Sequence, residues 1–147
     1  MPFQHILVPT DGSAPSRRAI ATAAKLAGES GARLTALYVV PEGVPTVFSG
    51  ERLMASPALS PQYRAKIRAA AADALDVAAR AAKTSGVRFT GMSALSPAPW
   101  RSIVNAARAK KCDLIVMATH GKRGLWVLGS QTMKVLAHTH VPVLVCR

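Results

Sequence analysis

Apolar and polar positions change period several times along the chain, and each change marks an element boundary. Phe3 to Pro9 (Phe-Gln-His-Ile-Leu-Val-Pro) is a short run rich in strand formers, and Thr10-Asp11-Gly12-Ser13 breaks it with turn chemistry. Ile20, Ala23, Ala24 and Ala27 then recur at helical spacing. Ser13 is placed as N-cap, Pro15 falls in the first turn and Gly31 lies just past the end. Leu34 to Val40 predicts a second strand, closed by Pro41. Glu42 to Pro61 carries Pro45, Pro57 and Pro61 without a sustained period, which predicts a long surface loop of the kind used as lids. Gln62 to Lys83 is Ala-rich, and Ile67, Ala71, Ala74, Ala78 and Ala81 form one narrow apolar stripe of a long helix.

The alternation continues. Val87 to Ala94 predicts a third strand. Trp100, Ile103, Val104 and Ala107 mark the buried face of a helix, with Trp100 as a packing residue at its start. Lys110-Lys111 follow where cations suit a helix C-terminus. Leu114 to Ala118 is continuously apolar, the pattern of a parallel strand buried on both faces. Gln131 to His138 predicts a helix with Val135 and Leu136 inward, and Val141 to Cys146 a last strand whose Pro142 fits its start or an edge. Five strands alternating with four helices predict an α/β fold in a single domain over 1–147. Right-handed crossovers gather the strand-to-helix loops at the carboxyl ends of the strands, and ligands bind there where the strand order reverses. With the first and fourth strands as neighbours, the Thr10–Asp11 loop would face the Ala118–Ser130 loop.

Composition narrows the function classes. The 147 residues suffice for a full core. The net charge of +12 is spread over Arg17-Arg18, Arg64/Lys66/Arg68, Arg108/Lys110/Lys111 and Lys122-Arg123 with no interleaved aromatics. That pattern is a solvated basic surface attractive to anions and not a nucleic-acid platform. No apolar run is long enough to cross a membrane. The first residues lack the basic flank and apolar core of a secretory signal, which predicts a cytoplasmic protein. Cys112 and Cys146 form no C-x-x-C pair and are expected as reduced thiols.

The chemistry concentrates between Leu114 and Ser130, where the apolar run stops at a Gly-rich basic loop and a helix follows. Such a junction presents unpaired backbone N–H groups to an anion. Gly121, Gly124, Gly129 and Ser130, with Lys122 and Arg123 beside them, are the candidate phosphate cradle. The spacing matches neither G-x-x-x-x-G-K-[ST] nor G-x-G-x-x-G. Asp11 follows the first strand and has two readings, a ribose acceptor or a turn aspartate bonded to its own backbone. Asp113 precedes its strand and belongs at the opposite end. His120 is read as a structural or solvated loop histidine in preference to an acid–base group. His138 and His140 lack a third ligand, so no metal site is assigned. With no paired carboxylates, no catalytic residue is assigned either.

Several segments, in this order and spacing, resemble the universal stress protein (UspA) family over the whole chain: Ile6-Leu7-Val8-Pro9-Thr10-Asp11-Gly12-Ser13, Leu37-Tyr38-Val39-Val40, Asp113-Leu114-Ile115-Val116-Met117-Ala118-Thr119-His120-Gly121, Leu128-Gly129-Ser130 and Pro142-Val143-Leu144-Val145. The resemblance implies a Rossmann-like (adenine nucleotide alpha hydrolase-like) open sheet of five parallel strands in order 3-2-1-4-5. It implies a homodimer through the edge of the last strand, Val141 to Cys146, and further protein partners. It also implies a cytoplasmic stress-response role with ATP or another adenine nucleotide, with or without Mg²⁺, as ligand. The implied nucleotide-binding positions are Pro9, Thr10, Asp11 (ribose), Val39 (adenine, by main chain), Met117, Ala118, Gly121, Gly129, Ser130 and Gln131. ATP-binding members carry G-x2-G-x9-G-(S/T) after the fourth strand, and this chain departs from it twice. Ala118 replaces the first glycine, and only seven residues, Lys122 to Leu128, separate Gly121 from Gly129. Two residues correspond to about 7 Å of reach. Either the helix carrying Gly129 begins earlier, or the cradle does not close around a triphosphate. A mono- or diphosphate or a cyclic nucleotide demands less of the loop. The leading expectation is a nucleotide-binding regulatory module. The alternative is a nucleotide-independent dimeric interaction protein, and slow ATP hydrolysis is the most that enzymatic activity would amount to.

Overall fold

The computed structural model describes residues 3–39, 61–94, 96, 98–119 and 129–147. In chain order the elements are β1 (His5–Thr10), α1 (Ala14–Ser30), β2 (Arg33–Val39), α2 (Pro61–Thr84), β3 (Phe89–Ala94), α3 (Pro99–Ala109), β4 (Leu114–Ala118), α4 (Ser130–His138) and β5 (Val143–Cys146). The strands form one parallel sheet, as the alternation predicts, in the order β3-β2-β1-β4-β5 that the resemblance implies. The expected loop over 42–61 lies outside the described residues except for Pro61, which opens α2 at a position where its missing N–H costs nothing.

Each face of the sheet has its own core. On one side Ala19, Ala23, Ala24 and Ala27 of α1 and Ala78 and Ala82 of α2 lie on Ile6, Val8, Leu34 and Val116. On the other, Ile103, Val104 and Ala107 of α3 and Val135 of α4 cover Leu7, Leu37, Ile115 and Met117. Small side chains let α1 and α2 sit close to the sheet. Gly28 of α1 lies tight against the turn after α2, where a Cβ would stand 3.0 Å from the Ser85 carbonyl oxygen.

Three expectations need correction. The inner row of α2 is Ile67, Ala74, Ala78 and Ala82, with Ala71 and Ala81 only half-buried, because steps of four hold that row against α1 and the sheet. In α4, Leu136 faces outward and is 41% exposed. Thr132, one turn before Val135, takes the inner position instead, and its hydroxyl donates to the Ala118 carbonyl at 3.2 Å. The first strand also continues through Pro9 to Thr10, although proline disfavours a central strand. The Gln4 carbonyl accepts from Arg33 on the β2 side, and the His5 carbonyl accepts from Asp113 on the β4 side. By alternation Pro9 therefore faces β4. The β1–β4 pairing covers only Ile6–Leu114 and Leu7–Ile115, so the missing N–H interrupts nothing on the β2 side.

The amino end of the sheet is tied by Asp113 and His5. The two carboxylate oxygens of Asp113 accept from the Gln4 and His5 amides, each at 2.9 Å, which fixes the start of β4 beside the start of β1. His5 is buried. Its Nδ1–H donates to the Lys110 carbonyl at 2.9 Å, and its Nε2 accepts from the Thr35 hydroxyl at 2.7 Å. Burial first, then the positive Arg33, holds this imidazole below its ordinary pKa of 6.5, against the opposing pull of the Lys110 carbonyl and Asp113.

Asp113→Ala should lower unfolding stability by about 2 kcal/mol through loss of two charge-assisted hydrogen bonds, read from urea denaturation. The unfolded chain binds a proton at His5 more readily than the native one does. His5 therefore stabilises the fold fully above pH 6.5, and the contribution is lost as pH falls through the lower native value. Thermal melts across that window should show a decline in the wild type that is shallower in His5→Gln; parallel profiles would contradict the assignment.

Candidate functional site

Past the Leu7–Ile115 pair, β1 and β4 diverge, and a crevice opens between their carboxyl ends. Pro9, Thr10 and Asp11 of the first wall, Val39 at the end of β2, Met117 and Ala118 of β4 and Gln131 of α4 line this single crevice. Seven of the ten positions named from the sequence thus meet in space. Gly129 and Ser130 stand beside it as the N-cap and first residue of α4. Gly121 lies outside the described residues, as do His120, Lys122, Arg123 and Gly124.

The β1–α1 loop is held by a relay of hydroxyls. Thr10 Oγ1 accepts from the Gly12 amide at 3.1 Å and donates to Ser16 Oγ at 2.9 Å, and Ser16 Oγ donates onward to the Ser13 carbonyl at 2.8 Å. Ser13 caps α1 by accepting the Ser16 amide at 3.3 Å, as its place in the sequence predicts. Gly12 supplies the turn at φ 82°, a conformation that side chains with a Cβ rarely adopt. Asp11 Oδ1 accepts from the Ser13 amide at 2.9 Å, so the turn reading holds. The residue nonetheless lines the crevice, so turn geometry aims it there and the ribose reading stays open. Behind it, burial and then the negative Asp11 push the Tyr38 phenol above its ordinary pKa, which keeps that hydroxyl protonated.

The opposite wall differs in one respect that matters for an anion. Gly129 contributes no side-chain cap to α4, whereas Ser13 caps α1. The helix start facing the crevice from the β4 side is therefore without the side-chain oxygen that would compete with a ligand. The helix α4 begins at Ser130 with Gly129 as its N-cap. Gln131 has a structural task as well. Its Oε1 accepts the Trp100 amide at 3.0 Å and caps α3, whose own N-cap is Ala98.

Sequence reasoning passed over Ser16, Pro99, Ile103, Thr119 and Thr132, which also line the crevice. Ser16 could have been found as the hydroxyl one turn after the N-cap. Thr132 could have been found as a polar residue two positions into the last helix. Pro99 and Ile103 offered no signal beyond core periodicity. Cys112, just before β4 at the far end, and Cys146, paired with Ala118 at the crevice end, are both free thiols. Burial, aided by Asp113, pushes Cys112 up to about 11, which makes it inert at neutral pH.

Comparison with known proteins agrees with this geometry. A family model described as the universal stress protein family matches residues 2–147. A universal stress protein of Methanocaldococcus jannaschii is 36% identical over 99% of this chain and 82% of that protein. The structure of the universal stress protein UspA from Lactobacillus plantarum superposes with a TM-score of 0.77 at 30% identity, covering 100% of this chain and 99% of the other. A crystal structure of a universal stress protein in complex with cAMP does so with a TM-score of 0.68 at 26% identity, covering 99% and 97%. Fold, crevice and sequence converge: the chain belongs to the universal stress protein family.

Proposed function

We propose that the β1–β4 crevice binds an adenine nucleotide, and that the protein acts as a nucleotide-responsive regulatory module of the cytoplasmic stress response. The observation that carries this reading is the crevice itself. Asp11, Val39 and Met117 meet there, beside an α4 start that lacks a side-chain cap. The cAMP held by a structural neighbour supports the ligand class. The spacing between Gly121 and Gly129, seven residues where ATP-binding members have nine, favours a nucleotide with one phosphate over ATP. Ala118 acts in the same direction by adding a methyl group at the crevice wall.

In thermal-shift titrations AMP and cAMP should raise Tm more than ATP, with or without Mg²⁺. A nucleotide at a hundred times its Kd adds about 2.7 kcal/mol. Gly129 has φ −59°, which any residue adopts, so Gly129→Val should fold normally and lose the shift through steric exclusion of the phosphate. The absence of a shift at millimolar nucleotide would sink the ligand assignment.

A second reading, a dimer that recruits partners without nucleotide, is favoured by the apolar surface around β5. That strand forms an edge of the described sheet; Leu144, 38% exposed, lies on its α1 face, and Leu136 at 41% and Met133 at 52% are exposed on α4 at the other face. Open edges with apolar neighbours are surfaces that proteins cover. Light scattering at micromolar concentration should give the mass of a dimer, and Leu144→Glu should reduce it to the monomer. A monomeric wild type would remove the interface.

A further inference from the structure

At the opposite end of the molecule from the crevice, the C-terminal ends of α3 and α4 enclose a second cavity of about 280 Å³. Its floor is apolar, with Val104 and Ala107 buried beneath it. Its rim carries Arg108, Lys111, His138 and His140. None of the described lining residues is acidic, and neither α3 nor α4 contains an acidic residue. The nearby carboxylate of Asp113 is engaged by the Gln4 and His5 amides.

Cations beside helix ends commonly offset the partial charge of terminal carbonyls. Here the chain supplies other partners for several of those groups. The Lys110, Lys111 and Cys112 amides donate to the carbonyls of Ala106, Arg108 and Ala107, and the Thr139 amide donates to that of Val135. Lys111 also sits at φ 54°, and no other described non-glycine residue has a positive φ. A long side chain in a left-handed conformation is strained, and glycine would hold the same turn without strain. Lysine at this position thus contributes a charge to the rim at a cost to the backbone.

We propose that this cavity binds a small amphipathic anion, an apolar body with a phosphate or carboxylate head, seated over Val104 and Ala107 and held by Arg108, Lys111, His138 and His140. A reporter is built in, because the Trp100 ring stacks on His138 with centroids 4.3 Å apart, and the Arg101 guanidinium lies 5.2 Å from the Trp100 ring centroid. An anion drawn to His138 changes the charge next to that indole. The proposal is independent of the nucleotide reading, since neither Arg108 nor Lys111 lines the crevice.

The test uses the full chain carrying Trp126→Phe, which leaves Trp100 as the tryptophan observed. Titration with phenyl phosphate or benzoate should produce a saturable change in its emission, and the tighter of the two identifies the head group. Inorganic phosphate alone and uncharged benzyl alcohol should bind about tenfold more weakly or worse, since each lacks one half of the recognition. Arg108→Gln should weaken the tighter anion by about tenfold. Lys111→Gly should weaken it as well while leaving Tm unchanged or higher, a combination that a purely structural lysine does not produce. No saturable response, a response surviving both variants, or equal binding of inorganic phosphate overturns the proposal. So does a loss of Tm in Arg108→Gln with no effect on anion binding.

Discussion

Beyond Leu7 and Ile115 the two central strands no longer share a ladder, and the crevice exists because they part. A parallel sheet whose order reverses at β1 sends α1 to one face and α3 and α4 to the other, which places the gap between β1 and β4 at the switch point. Pro9 fits this arrangement. It occupies the one position of β1 near the gap that faces β4, where a missing N–H breaks no pairing. Once the strands diverge, their exposed ends need other anchors. Thr10 is held by the Ser16 and Ser13 relay, and Ala118 by the Thr132 hydroxyl.

The amino end of the sheet is built the opposite way. Where the carboxyl end is spread, this end is clamped by charge and burial. Asp113 reaches two consecutive amides of the neighbouring strand, and His5 joins three elements by bonding Lys110 after α3 and Thr35 of β2. A rigid base allows the opening at the other end to keep its shape without strand-to-strand bonds there. The pH sensitivity expected of His5 therefore concerns the integrity of the whole sheet and not the crevice chemistry.

Helices α3 and α4 connect the two ends. Their N-termini border the crevice, where Gln131 caps Trp100, and their C-termini border the basic cavity, where the same Trp100 packs on His138. One tryptophan thus spans from a crevice residue to a cavity residue. Helices α3 and α4 lack acids, while α2 pairs Arg80 with Asp76 on its exposed side. The +12 net charge is nonetheless shared by both helix layers, since α1 and α2 also carry more basic than acidic residues.

Much of this architecture was legible from local pattern. Period and punctuation located all nine described elements to within a few residues. Its place before β4 put Asp113 at the far end, the topology set the Thr10–Asp11 loop opposite the loop after β4, and the family resemblance supplied Pro9, Val39, Met117 and Gln131. These features are readable because burial periodicity and turn chemistry are properties of neighbouring residues. Other features required the folded chain. Leu136 and Thr132 exchange inner and outer positions because Thr132 finds the Ala118 carbonyl, a partner fourteen residues away that no helical period reveals. The second role of Gln131, the assembly of His138, His140, Arg108 and Lys111 around one cavity, and the extension of β1 to Thr10 likewise depend on which groups meet across the sheet. The sequence by itself determined which segments fold and, outside α2 and α4, which face of each helix is buried, since those follow from side chains close along the chain. Only the tertiary structure decided how hydrogen bonds and charges distant in sequence were matched, because each such match depends on the register of two elements at once.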